Sequence, residues 1–92
     1  MYTSTISLST KDASRFIKRL CKHFSHKVEV EFDESSGHVN FPLGECNMEA
    51  ADNSLQFDIK ADNEEDLEKI QHVISSHTDQ FARNESFEWK WL

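Results

Sequence analysis

Glycine and proline are nearly missing from this 92-residue chain, which has two glycines, Gly37 and Gly44, and one proline, Pro42. Two isolated glycines cannot build the glycine-rich loop that cradles phosphate on backbone N–H groups, so nucleotide sites of that kind are excluded. Cysteine is as scarce, with only Cys21 and Cys46. That is too few for a disulfide framework and points to a reduced, cytoplasmic setting. No apolar run is long enough to cross a bilayer. Met1 to Thr10 lacks the basic start and apolar core of a secretory leader. Positive charge is also short, with ten Lys and Arg against seventeen Asp and Glu and a net charge of −7. That balance argues against a protein whose task is to grip nucleic-acid phosphates. No CxxC, HExxH, zinc-finger or nucleophile-elbow spacing occurs.

What the chain has is enough for one core. At 10.7 kDa, surface scaling predicts burial of roughly 64% of the unfolded surface, which supports one marginally stable domain over residues 1–92. Apolar residues make up 37% and charged residues 29%, a globular balance. The charge is divided along the chain. Residues 1–27 hold six basic groups against Asp12, a local +5, and residues 28–92 hold four against sixteen acidic ones, a local −12.

Periodicity divides the chain into short blocks. Residues 3–8 read as a strand with Ile6 and Leu8 on one face. Residues 10–24 read as a helix opened by a Ser9-to-Asp12 capping box or by Thr10. Its Ala13, Phe16, Ile17, Leu20 and Phe24 fall in one arc, with Arg15, Lys18, Arg19 and Lys22 behind them. Four alternating segments follow, carried by Val28/Val30/Phe32, Val39/Phe41, Cys46/Met48/Ala50 and Leu55/Phe57/Ile59. Turn residues at 33–37, 42–44 and 52–53 separate them into an antiparallel meander. A second helix spans 63–82, capped by Asp62 or Asn63 and stopped at Asn84, with Leu67, Ile70, Ile74, His77 and Phe81 as its stripe. Phe87, Trp89 and Trp91 alternate with Glu88 and Lys90 in a last strand.

The fold class expected is α+β, a two-layer sandwich with an antiparallel sheet and both helices on one face, in the order β-α-β-β-β-β-α-β. Its core has the element order of half a TATA-binding protein, an analogy of fold alone. The exposed face would then carry Glu29, Glu31, Glu45, Glu49, Asp58 and Glu88, with Lys60, Lys90 and His38 among them. Such a face lacks the aromatics and basic groups of an RNA-binding sheet. It reads as a solvated surface or as a docking face for a basic partner.

Candidate chemistry gathers at the exit of the first helix, Cys21-Lys-His-Phe-Ser-His-Lys27. His23, His26 and Lys27 are the candidate residues for a ligand or partner, because a chain exit exposes polar groups more readily than a packed helix face. Cys21, His23, His26 and Cys46 are the candidate metal ligands. Cys21 and His23 point about 200° apart on a helix, while His23 and His26 share a side if the helix extends to His26. The competing reading has both cysteines as small buried hydrophobes. His77, on an apolar stripe, reads as a packed histidine.

The run Arg19-Leu-Cys-Lys-His-Phe-Ser-His-Lys27, with Val30-Glu-Phe32, Gly44-Glu-Cys46, Ala50, His77, Phe81 and Trp89, resembles a small bacterial family catalogued as domain of unknown function 2218. The resemblance implies a stand-alone bacterial domain with no assigned activity. Links between some relatives and siderophore-interacting flavin reductases imply an accessory role in iron handling. Thr78 stands where relatives tend to place an apolar residue. The expectation is a non-catalytic binding module, a monomer or weak homo-oligomer with a protein or small-molecule partner and no cofactor, nucleic acid or membrane. A metal- or siderophore-linked accessory protein and a small enzyme are the alternatives.

Overall fold

The computed structural model describes residues 1–82 and 85–92. Its elements are β1 (Tyr2–Ser9), α1 (Ala13–Phe24), β2 (Glu29–Phe32), β3 (Ser36–Phe41), β4 (Gly44–Ala51), β5 (Ser54–Ala61) and α2 (Glu64–Phe81). The five strands form one sheet in the order β1-β5-β4-β3-β2, every neighbouring pair antiparallel. The meander β2 to β5 is closed by β1, which α1 carries across to the far edge. Both helices lie on one face, so the fold is the expected α+β sandwich.

Register puts the apolar residues on that face. Ile6 stands opposite Phe57, Leu8 opposite Leu55, Val39 opposite Cys46 and Cys46 opposite Ile59. With Phe16, Ile17, Leu20 and Cys21 of α1 and Ile70 and Ile74 of α2, they form one buried cluster. A strand's period of two sends the alternate residues to the other side.

The helix ends show how each start was chosen. Asn63 caps α2, its Oδ1 accepting the Asp66 N–H at 2.8 Å. Glu64, Glu65 and Asp66 then sit at the positive end of the helix dipole. The start of α1 differs from expectation. Asp12 holds the N-cap position without a side-chain cap bond. The Thr10 hydroxyl accepts the Asp12 N–H at 3.1 Å and donates to the Glu85 carboxylate at 2.8 Å. Thr10 thus spends its hydroxyl joining the turn to the C-terminal segment, and α1 begins three residues later than periodicity suggested. The expected stop of α2 at Asn84 lies outside the described residues.

The last segment keeps its alternation but forms no ladder. Phe87 packs edge-on to Phe16 at 5.8 Å, and Trp89 and Trp91 lie 6.0 and 6.4 Å from the Phe57 ring. Thr5 and Leu92 exchange the one reciprocal pair of backbone hydrogen bonds that joins the segment to β1, at 2.8 and 3.2 Å. Trp89 Nε1 donates to Asp79 of α2 at 3.1 Å. That bond and the Phe57 contacts hold the segment beside the helices on the inner face of the sheet, so it serves as an aromatic strap. Glu88 and Lys90 therefore leave the predicted acidic face and pair with each other at 3.3 Å.

Two glycines sit where the chain comes too close for a side chain. A Cβ on Gly37 of β3 would lie 2.8 Å from Cys21 Sγ and 3.0 Å from Ile17 Cγ2, so α1 rests directly on its backbone. A Cβ on Gly44 would lie 2.0 Å from the Lys60 carbonyl oxygen. Overpacking costs about 1–3 kcal/mol where neighbours can yield. Gly37→Ala is expected in that range, and Cys21→Ala should partly rescue it in a double-mutant cycle read by denaturant titration. Gly44→Ala should cost more, because a backbone carbonyl cannot turn aside.

Thr78 is fully buried on α2, and its Oγ1 has no hydrogen-bond partner. An unpartnered buried hydroxyl costs about 1–3 kcal/mol. Thr78→Val is therefore expected to stabilise the fold by about 1 kcal/mol, raising Tm by about 4–8 °C in a melting experiment.

Candidate functional site

The two layers present opposite electrostatics. On the outer sheet face the register aligns polar rows across the strands. One runs Thr5, Asp58, Asn47, His38, Glu31, and the next runs Thr3, Lys60, Glu45, Asn40, Glu29. Glu49 faces the same side, opposite Gln56 and Ser36. These groups are largely committed to one another. Thr5 Oγ1 donates to Asp58 at 2.7 Å, Gln56 Nε2 donates to the same carboxylate at 3.0 Å, and Lys60 Nζ stands 3.9 Å from Glu45. A shallow cavity of about 530 Å³ opens here between Glu31, Asp33, His38, Glu49 and Asp58.

His38 is the centre of that face. Its Nδ1 meets Asn47 Oδ1, its Nε2 lies 3.0 Å from Asn40 Oδ1, and Glu45 stands 3.8 Å away. Two ring nitrogens facing oxygen acceptors are both satisfied only by the protonated ring. The Asn47 bond chiefly, then the Asn40 bond and the nearby Glu45 and Glu31, raise the His38 pKa against the opposing effect of burial.

The helix side carries the opposite charge. One face of α1 presents Arg15, Lys18, Arg19, Lys22 and His23, which with Phe81 of α2 line an open groove of about 470 Å³. Helical spacing stacks these side chains because residues three and four apart share a face. The Arg19 guanidinium carbon lies 5.0 Å over the Phe81 ring, and the Arg15 guanidinium lies 4.9 Å over Phe16. Arg15 also pairs with Asp12 at 3.6 Å. Among the described residues, no carboxylate comes within 4.0 Å of Lys18, Arg19 or Lys22.

At the C-terminal end of the groove, His23 lies 4.7 Å from the His77 ring and edge-on to Phe81 at 6.0 Å. His77 Nδ1 lies 2.7 Å from Val73 O, so this nitrogen carries the proton and donates. Desolvation by the neighbouring rings first, then His77, His26 and Lys27, lower the His23 pKa.

The helix-exit candidates are thus separated by the fold. His23 belongs to the groove. His26 and Lys27 sit exposed in the tight turn after α1, where the Lys27 and Val28 N–H groups bond Phe24 O at 3.0 Å. Cys21 and Cys46 face the core from opposite layers, both fully buried. Burial pushes the Cys21 thiol up to about 11, and burial with the neighbouring Cys21 raises Cys46 as well. Protonated thiols are poor ligands and nucleophiles. Among the described residues, no three His, Cys, Asp or Glu side chains gather as a metal-holding group. Sequence reasoning missed His38 as a centre, although its place between Gly37 and Val39 marked it as outward-facing. It also missed Phe81 and His77 as groove partners of α1.

This architecture is that of an open-faced α+β domain with a five-stranded antiparallel sheet. The chain belongs to a bacterial family described as "Uncharacterized protein conserved in bacteria (DUF2218)", whose model matches residues 5–92. It is similar to the protein of the "NMR structure of PA4090 from Pseudomonas aeruginosa", with 33% sequence identity and a TM-score of 0.85 over 100% of this chain and 96% of that one. A search of curated proteins finds no match. No helix among the described residues is long and apolar enough to cross a membrane.

The two histidines should titrate on opposite sides of the ordinary value near 6.5. An NMR pH titration is expected to show His23 losing its proton at lower pH than His38. Because the folded His38 pKa is raised, its contribution to stability is full below the unfolded value and is lost as pH rises through the folded one. His38→Gln should therefore lower the melting temperature more on the acid side of that window than on the alkaline side.

Proposed function

We propose that this bacterial domain is a non-catalytic binding module that captures an anionic, carboxylate-bearing partner in the groove between α1 and α2. The observation that carries the reading is the row of Lys18, Arg19 and Lys22 beside Phe81, with no carboxylate of the described chain near them. A helix needs solvated polar residues on its outer face, but it does not need them all of one sign. Here every charged side chain from Arg15 to Lys22 is positive, in a chain whose net charge is −7. Keeping that sign on one groove favours an anion at close range.

The polar groups that could serve catalysis are otherwise engaged. His38 lies within a hydrogen-bonded row of side chains, and both thiols are in the core. The outer sheet face fits a solvated surface better than a site, because His38, Glu45, Lys60 and Asp58 at its centre already contact neighbours.

A short oligoglutamate peptide titrated into the protein at low salt is expected to bind with an affinity that falls steeply as salt is added. The double variant Lys18→Glu, Lys22→Glu should melt within a few degrees of the parent and bind at least about tenfold more weakly, a difference of about 1.4 kcal/mol. Equal binding by parent and variant, or no binding by the parent, would refute the reading.

A further inference from the structure

We propose that the α1–α2 groove is built for a planar aromatic carboxylate, with the carboxyl group on the Arg19 guanidinium and the ring against the His23 and Phe81 rings. This rests on the anion reading above and names the class of ligand. Arg19 is the first reason. Its guanidinium carbon lies 5.0 Å over the Phe81 ring, a cation–π contact that restrains where the fork sits. A restrained fork suits the two oxygens of one carboxylate, which a flexible ammonium reads only as a point charge. No carboxylate of the described chain occupies it, in contrast to Arg15, which Asp12 already holds at 3.6 Å. Lys18 and Lys22 flank the fork on the same helix.

The second reason is the wall. His23 stands at 71° to Phe81, 6.0 Å between centroids, and tilted at 46° against His77 at 4.7 Å. The end of the groove is therefore made of ring faces and edges, which favour an offset or edge-on ring in the ligand. Its volume of about 470 Å³ falls in the range of small-molecule sites, roughly 300–1,000 Å³.

The same arrangement couples capture to a proton. The groups facing His23 are Arg19 and Lys22 on its own helix, His26 and Lys27 in the following turn, and His77 on α2. On the sheet side, Phe24 and then Phe41 pack without charge. Desolvation chiefly, then His77, His26 and Lys27, disfavour the protonated His23 ring, and an arriving carboxylate offsets them and favours uptake of a proton. Affinity then rises as pH falls toward the lowered titration range of the free His23 ring.

The test is an NMR titration of the full chain with benzoate, followed on the backbone amides and histidine rings. Cyclohexanecarboxylate, benzyl alcohol and oligoglutamate are the comparison probes. Benzoate is expected to move the resonances of Arg19, Lys22, His23, His77 and Phe81 in a saturable way, severalfold more tightly than cyclohexanecarboxylate. Benzyl alcohol should leave them in place. Arg19→Lys, which keeps the charge and loses the fork, should weaken benzoate severalfold, and His23→Gln should abolish the pH dependence while leaving the fold intact. If oligoglutamate binds and benzoate does not, or if the two acids bind alike, the inference fails and the broader reading stands. If neither carboxylate binds, both fail. Benzoate binding that is flat in pH, or shifts confined to other parts of the chain, would likewise overturn the inference.

Discussion

The pleat of one sheet sorts nearly every side chain in this molecule. Each strand sends its apolar residues to the same side, and antiparallel register lines them up, Leu8 with Leu55 and Ala50, and Ile6 with Phe57 and Met48. A slip of one residue in any strand would carry its apolar set into water and its carboxylates into the core. The helices, the strap and both charged surfaces depend on that sorting. It also explains why so few glycines suffice. Gly37 stands where α1 rests on β3, and Gly44 stands where β4 meets the backbone of β5.

The helix layer solves a covering problem in three pieces. Helix α1 covers β2, β3 and β4, α2 covers β5 and β1, and the strap from Phe87 to Trp91 reaches Phe16 and Phe57. The strap gains most of its hold from ring burial and little from backbone pairing, since its backbone meets β1 only through the reciprocal pair at Thr5 and Leu92 among the described residues. Thr10 adds a local tie through Glu85. The groove follows from this covering: where α1 and α2 meet beside Phe24 and Phe81, their side chains leave an open trough whose outer wall is the basic side of α1.

How much of this was legible from sequence depends on the range of the interactions. The strands, the buried arc of α1 and the polar sheet face are local in origin, because a period of two or of 3.6 residues already decides which side a residue takes. Asn63 was legible, with Asp62, as one of two cap candidates, and the structure selects Asn63. Thr10 was not, because its hydroxyl serves Glu85, 75 residues away. The strap read as a strand because its alternation is genuine, yet alternation also arises when one side of an extended segment packs on a core without a strand partner. Burial of Thr78 and the half-burial of His77 follow from how α2 is rolled on the sheet, which its own periodicity leaves open. The site was legible in its halves: His23 and the basic back of α1 were visible, and their partners on α2 were not, because only packing brings Phe81 beneath Arg19.

Charge division also limits which anions the groove can hold. The Debye length near physiological salt is about 8 Å, so a bound group feels the cations it touches and little of the acidic sheet on the far side. A long polyanion is different. It must extend past α1 into the field of a chain that carries sixteen acidic groups after residue 27, and each added charge beyond the groove meets repulsion in place of attraction. A small monoanion collects the favourable contacts and avoids the rest, which is discrimination by an unfavourable surround as much as by a favourable site. On the proposed reading, the acidic sheet helps decide what the basic helix accepts.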